Sequence, residues 1–322
     1  MVSKYSNWRT ACTILQQLVA LLIMTGPGLA VAEDSAHPGI PAMVEPAATT
    51  NADTAKRKVT RERLWEVGMG IGGLHMTDYE GSSETQSYAF PIPYLIYNGE
   101  FWKVSRQGVR RDVVRTDSFK FDVSGNVGPP VNSEDNTARV DMPDLDPTFE
   151  IGPSMELLLW NSADKRHVWS LRMPARAVFV TDFSDVEPAG WRLLPNINYD
   201  AHDLGRREPG AEGWHWGISV GPVWATEAYH DYYYEVDPIY ATPTRPAYNA
   251  RGGYSGIGVG FAVRKRYKNV WFGLFARYRN LAGAIFEDSP LVEQRDSLVV
   301  GGGLSFIFAQ SDEYVEIDSI FD

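Results

Sequence analysis

The chain has 322 residues, of which 30 are Lys or Arg and 41 are Asp or Glu, so its formal net charge at pH 7 is −11. This acidic balance disfavours a phosphate-binding surface, and we expect no nucleic-acid partner. The single cysteine, Cys12, lies near the N-terminus and has no second thiol for disulfide or thiolate chemistry.

The first 32 residues have the features of a secretory signal peptide. Lys4 and Arg9 precede an apolar stretch that ends near Met24, and Ala30-Val31-Ala32 is typical of a cleavage site. The stretch is shorter than the ~20 apolar residues of a membrane-spanning helix. We therefore predict export, with cleavage near Ala32–Glu33.

Residues 33–63 are predicted to be a flexible periplasmic N-terminal tail. They are rich in Ala, Pro, Thr and Asp up to residue 60 and carry almost no large apolar side chains that could be buried. Residues 64–308 are predicted to form one β-domain, and residues 309–322 a C-terminal extension.

Alternation of apolar and small or charged residues predicts long strands. Near the C-terminus, Leu304, Phe306 and Phe308 would lie on one face, while Gly303 and Ser305 would lie on the other. The same pattern predicts strands near 64–75, 88–97, 148–160, 167–181, 191–201, 213–226, 254–267, 270–282 and 297–308.

These segments match membrane strands better than soluble ones. Soluble strands average about 5–6 residues, whereas a tilted strand in a transmembrane barrel takes about 9–11. A soluble sandwich also alternates, but it does not require this length. We predict a transmembrane antiparallel up-and-down β-barrel whose apolar face meets lipid, so that its first partner is outer-membrane lipid.

The number of strands depends on the region 101–127, which is strand-like but hard to divide. If the tight turns Asn98-Gly99 and Lys268-Asn269 face the periplasm, the loops 128–147, 227–253 and 283–296 all face outward only when 101–127 holds three passes. The expected total is about 12 strands with both termini periplasmic, and about 10 remains open.

Several motifs resemble the MipA/OmpV family. They are the opening segment with Asp78-Tyr79-Glu80-Gly81-Ser82 and Pro91-Ile92-Pro93-Tyr94, followed by DLDPTFEIGPSM, the tyrosine-rich YYYEVDPIYATPTRPAYNARGGY and EDSPLV. The resemblance covers nearly all of residues 64–308. It implies a Gram-negative outer-membrane location and, for one member, a scaffold that joins a murein transglycosylase to a penicillin-binding synthase.

Charged residues on the inward face are the first candidate site. Acidic residues come from the earlier strands and arginines from the later ones, so they could pair across the lumen or form an ion-selective constriction. The candidate lumen charges are Glu66, Asp122, Glu150, Glu156, Arg172, Arg176, Arg264, Arg266, Arg277 and Arg279.

A tyrosine-rich segment is the second candidate site. It is either a loop that recognises a ligand or partner, or the aromatic end of a long strand. Its candidate residues are Tyr229, Tyr232, Tyr233, Tyr234 and Tyr240.

Neither a catalytic centre nor a cofactor or metal site is expected. The six histidines are scattered, no nucleophile motif is present, and the acidic loop with Asp135, Asp141, Asp144 and Asp146 lacks the spacing of a calcium loop. The favoured function is a non-enzymatic envelope scaffold. The alternatives are a passive small-solute porin and, third, a lipid-modifying enzyme.

Overall fold

A computed structural model of the chain describes residues 59–98, 103–105, 108–110, 112–116, 118–205 and 213–318. The predicted signal peptide and residues 33–58 of the predicted tail lie outside this part of the chain.

The described part is built almost wholly from strands. In chain order they are β1 (Val59–Arg63), β2 (Trp65–Thr77), β3 (Thr85–Asn98), β4 (Lys103–Ser105), β5 (Gly108–Arg110), β6 (Asp112–Arg115), β7 (Phe119–Gly128), β8 (Thr148–Asn161), β9 (His167–Thr181), β10 (Val186–Leu193), β11 (Asn196–Leu204), β12 (Trp214–Ala225), β13 (Gly253–Tyr267), β14 (Val270–Asn280), β15 (Asp296–Gln310) and β16 (Tyr314–Asp318). One α-helix, α1 (Glu227–Tyr234), lies between β12 and β13. No described helix is long and apolar enough to cross a membrane.

Strands β2 to β15 form a single antiparallel sheet of 14 strands. Its first and last strands pair, from Glu66 opposite Gln310 to His75 opposite Val300, as the closure of a barrel requires. The predicted up-and-down β-barrel is therefore confirmed.

Two pairs of short strands each make one pass. Strands β10 and β11 both lie between β9 and β12, and they are the two halves of one interrupted strand. Strand β5 is antiparallel to β4, and β6 is antiparallel to β7. Because the order of the sheet gives β4 and β7 the same direction, β5 and β6 also run in the same direction. Counting each pair once gives 12 passes, three of them between residues 103 and 128, as the sequence predicts.

The two ends of the barrel differ. At the terminal end lie the start of β2, the end of β15 and the short turn between β13 and β14. At the loop end lie the long connections 78–84, 129–147, 226–252 and 281–295. The long loops are thus opposite the termini, as the strand count requires.

The outer surface carries an apolar belt. Met69, Ile71 and Phe308 are each more than 60% exposed, which would be unfavourable in water and is favourable against lipid. Further members are Ile151, Trp169, Trp191, Ile218, Phe261, Leu274, Leu298, Leu304 and Phe306.

The inner surface departs from the expectation that only small and charged residues face inward. On β3 the large side chains Phe90, Ile92 and Tyr94 share the inward face with the glycines of β2. A Cβ on Gly72 would lie 2.3 Å from Cδ1 of Ile92, so only glycine leaves room for that side chain. Apolar bulk therefore fills this side of the lumen.

The last five residues of the predicted N-terminal tail form a strand. Strand β1 pairs with β16 from Val59 opposite Asp318 to Arg63 opposite Tyr314. The pairing continues the ladder of β2 and β15, since the Leu64 amide donates to the Glu313 carbonyl at 2.9 Å. Likewise, the last barrel strand runs to Gln310 and not to residue 308.

Candidate functional site

The long loops at the loop end form a compact cap, which we define as residues 78–84, 129–147, 226–252 and 281–295. All four contribute to one hydrophobic cluster, in which the rings of Tyr234 and Phe286 stack at 3.8 Å. The other buried members are Tyr79, Val131, Met142, Leu145, Val236, Ala250, Leu281, Ala284 and Leu291.

Hydrogen bonds between loops fix the cap. Asn136 Nδ2 donates to Asp78 Oδ2 at 2.8 Å and to Ser82 Oγ at 2.9 Å. Ser289 Oγ donates to the Tyr234 carbonyl at 2.7 Å. Because these bonds join separate loops, the cap has its own tertiary structure over the loop end of the barrel.

Beneath the cap, an ion-pair chain crosses the lumen through Arg279, Glu80, Arg192, Glu150 and Arg176. Arg192 lies 2.8 Å from Glu150 and 3.3 Å from Glu80, while Arg279 reaches Glu80 at 3.3 Å and Arg176 reaches Glu150 at 3.4 Å. The side chains of Arg192 and Glu150 are only 8% and 6% exposed. Charges buried to this degree are stable only when they are paired.

Glu80 joins this chain to the cap. Burial alone would raise the pKa of the Glu80 carboxyl, but Arg279 and Arg192 outweigh it, and the pKa lies below its ordinary value. The Tyr234 hydroxyl donates to the Glu80 carbonyl at 2.8 Å. The Tyr229 ring lies 4.8 Å from the Arg192 guanidinium. Cap and lumen charges therefore form one connected unit.

Nearer the terminal end, other predicted lumen charges pair. Arg172 lies 2.8 Å from Glu156, and Arg266 lies 2.6 Å from Glu66. The latter pair links β13 to β2 across two intervening strands. Tyr94 also donates to Glu66, at 3.1 Å.

The remaining predicted charges are Asp122, Arg264 and Arg277. Asp122 lies 3.3 Å from Lys120 on the same strand. Arg264 lies opposite His215 in the register of β12 and β13. For Arg277, no carboxylate contact is found within the described residues, and its guanidinium lies 5.5 Å from the Phe275 ring.

The tyrosine-rich segment forms a helix followed by a short turn, within the connection between β12 and β13. Tyr229, Tyr232, Tyr233 and Tyr234 lie on α1, so they are not the aromatic end of a strand. Tyr234 is 2% exposed because it packs within the cap cluster, and Tyr229 is 7% exposed because it packs against Val178, Ala189 and Ala225 of the barrel strands. Tyr240 lies just beyond the helix, in the short turn Pro238–Tyr240, and packs on the cap cluster.

Three charged residues of the lumen were missed by the sequence interpretation, namely Glu80, Arg192 and Lys120. Arg192 has a signal that could have been used, since it lies between the outward Trp191 and Leu193. Glu80 has no such signal because it lies in a loop. In the part of the chain that the structure describes, no three His, Cys, Asp or Glu side chains are grouped to hold a metal ion.

An apolar belt around a closed sheet, with a charged lumen beneath ordered loops, defines an outer-membrane β-barrel protein. The chain belongs to the MipA family, because the family model described as MltA-interacting protein MipA matches residues 69–308. A search of curated proteins finds no match.

Among solved structures, the chain is similar to the outer membrane protein OprG from Pseudomonas aeruginosa. The likeness has 7% sequence identity and a TM-score of 0.21, and it covers 76% of this chain and 94% of that one. The assignment of the fold rests on the strand pairing described above.

Proposed function

We propose that the protein is a non-enzymatic scaffold of the outer membrane with a closed barrel. The observation that carries this proposal is the connection between the cap and the ion-pair chain through Glu80 and Tyr234. A barrel whose loops form a hydrophobic core over a charged lumen is built as a rigid support, whereas a porin keeps an aqueous channel.

The partners we propose are periplasmic murein enzymes, a transglycosylase and a penicillin-binding synthase. The family description, an MltA-interacting protein, supports the transglycosylase. The first and last described strands, β1 and β16, lie at the end opposite the cap, which in the proposed orientation is the periplasmic end.

The docking element we propose is the two-stranded sheet of β1 and β16. Within the described residues these strands pair only with each other, so each leaves one edge of main-chain donors and acceptors unpaired. Such an edge can accept an extended strand from a partner, by the strand addition that many recognition domains use. Two strands alone are also marginally stable in water, so a third strand would stabilise them.

A binding experiment tests this proposal. The mature protein and a variant lacking residues 314–322 would be compared, in detergent, for binding to a purified MltA-type transglycosylase and a bifunctional penicillin-binding synthase. We expect the deletion to weaken binding at least ~10-fold, the equivalent of about 1.4 kcal/mol.

Two controls accompany it. Heat-modifiable migration in gels must show that the shortened barrel still folds. Arg295→Gln, an exposed cap change at the opposite end, should bind like the unchanged protein. Equal binding by the deletion variant would reject the docking element. No binding by the full mature protein would reject the scaffold role.

A further inference from the structure

The upper lumen holds more positive than negative charge. Around the ion-pair chain, four guanidinium groups share two carboxylates, those of Glu80 and Glu150. The guanidiniums belong to Arg176, Arg192, Arg277 and Arg279. This excess of positive charge favours a counter-anion.

Arg277 is the unbalanced member. Arg176, Arg279 and Arg192 act on it electrostatically, and the nearby Glu150 carboxylate already contacts two arginines. Although Arg277 projects inward from β14, its side chain is exposed, so there is open space around it.

Unused donors surround the same space. Arg279 Nη1 and Nε have no hydrogen-bond acceptor, although Nε lies at ion-pair distance from Glu80. Arg192, with a side chain only 8% exposed, also leaves its Nε without an acceptor. Buried N–H groups without acceptors are rare, and a bound oxyanion would satisfy them.

The strand next to Arg277 presents a glycine and, behind it, a hydroxyl group. Gly260 lies opposite Arg277 in the register of β13 and β14. A Cβ placed on Gly260 would meet only Ser219, which carries a further hydroxyl donor. The wall beside the guanidinium is therefore polar.

We propose that the lumen binds a phosphate-type dianion between Arg277 and Arg279, beneath the cap. Guanidinium groups bind phosphate in a bidentate manner, and a phosphate group carries about −1.5 to −2 charges at neutral pH, which matches the surplus of two arginines. This site does not depend on the scaffold role, because it lies inside the barrel and away from β1 and β16.

Calorimetry tests the site with inorganic phosphate as the probe. The refolded mature protein in a neutral detergent would be titrated at low ionic strength, where screening is weak. We expect binding, and at least ~10-fold weaker binding to Arg277→Gln, because a charge-assisted hydrogen-bond pair is lost. A parallel titration with glycerol 3-phosphate shows whether the site takes a free anion or a phosphomonoester.

The controls separate site loss from misfolding. Arg295→Gln removes one guanidinium from the exposed surface of the cap and should bind phosphate normally. Arg277→Gln should melt at an unchanged or higher temperature without phosphate, because a repelled charge is gone, and phosphate should no longer raise its melting temperature. Arg277→Lys should retain part of the binding. The proposal is overturned if the unchanged protein binds neither phosphate form, or if Arg277→Gln binds as tightly as Arg295→Gln.

Discussion

Glu150 is the acidic centre of the ion-pair chain, and Glu150→Gln is the sharpest test of its contribution to stability. The carboxylate is 6% exposed and accepts hydrogen bonds from Arg192 at 2.8 Å and Arg176 at 3.4 Å. Breaking a buried ion pair by removing one partner costs about 3–5 kcal/mol. Since Arg192 keeps Glu80 at 3.3 Å, we expect a loss near the lower limit, about 3 kcal/mol.

Glu156→Gln is the matched control. It breaks the ion pair of Glu156 with Arg172, but the Arg172 side chain is 40% exposed, so water can solvate the cation left behind. We expect a loss of about 1 kcal/mol or less. Both free energies come from reversible denaturant unfolding in lipid vesicles, followed by tryptophan fluorescence and extrapolated linearly. The reasoning fails if the two variants lose the same stability.

Two further predictions concern the cap and the lumen. His230 lies in the cap and contacts the Arg251 carbonyl and Ser255 Oγ, the latter on β13. Burial lowers the pKa of His230, so its neutral form is favoured in the folded state. The cap should lose stability as the pH falls below about 6.5, the pKa of histidine in the unfolded chain, and this loss should appear as faster cleavage of the cap loops by an acid-tolerant protease. His230→Gln should remove this pH dependence. An equal pH dependence in the variant would contradict the prediction. In planar bilayers the protein should give no large steady current; such a current would favour the porin alternative.

Period-two patterns predicted the strands well because lipid selects the outward face directly. Phe261, Leu274 and Leu304 are exposed on the outward face whatever their neighbours are, so a single strand suffices to place them. The ion-pair partners inside the lumen could not be predicted from the pattern of a single strand. Arg266 and Glu66 lie 200 positions apart and meet only because the closed ring brings β13 towards β2.

The interior of β3 and the structure of α1 escaped prediction for a related reason. Phe90 and Ile92 face inward because they lie over glycines of the neighbouring strand, which is a property of two strands together. The tyrosines of α1 resemble an interfacial girdle in composition, but Tyr234 is buried by contacts with three other loops of the cap and Tyr229 by contacts with barrel strands. Tertiary packing, and not local pattern, determines both.

The pairing of β2 with β15 has a consequence for how the cylinder holds together. The other strand pairs of the barrel join segments that are closer along the chain, whereas this pair joins the first and last strands of the barrel. Contacts between distant segments carry a larger loop-closure cost, so we expect this pairing to form late in folding. Strands β1 and β16 extend the pairing of β2 with β15 by five residue pairs. These added pairs stabilise the junction between the first and last strands of the barrel.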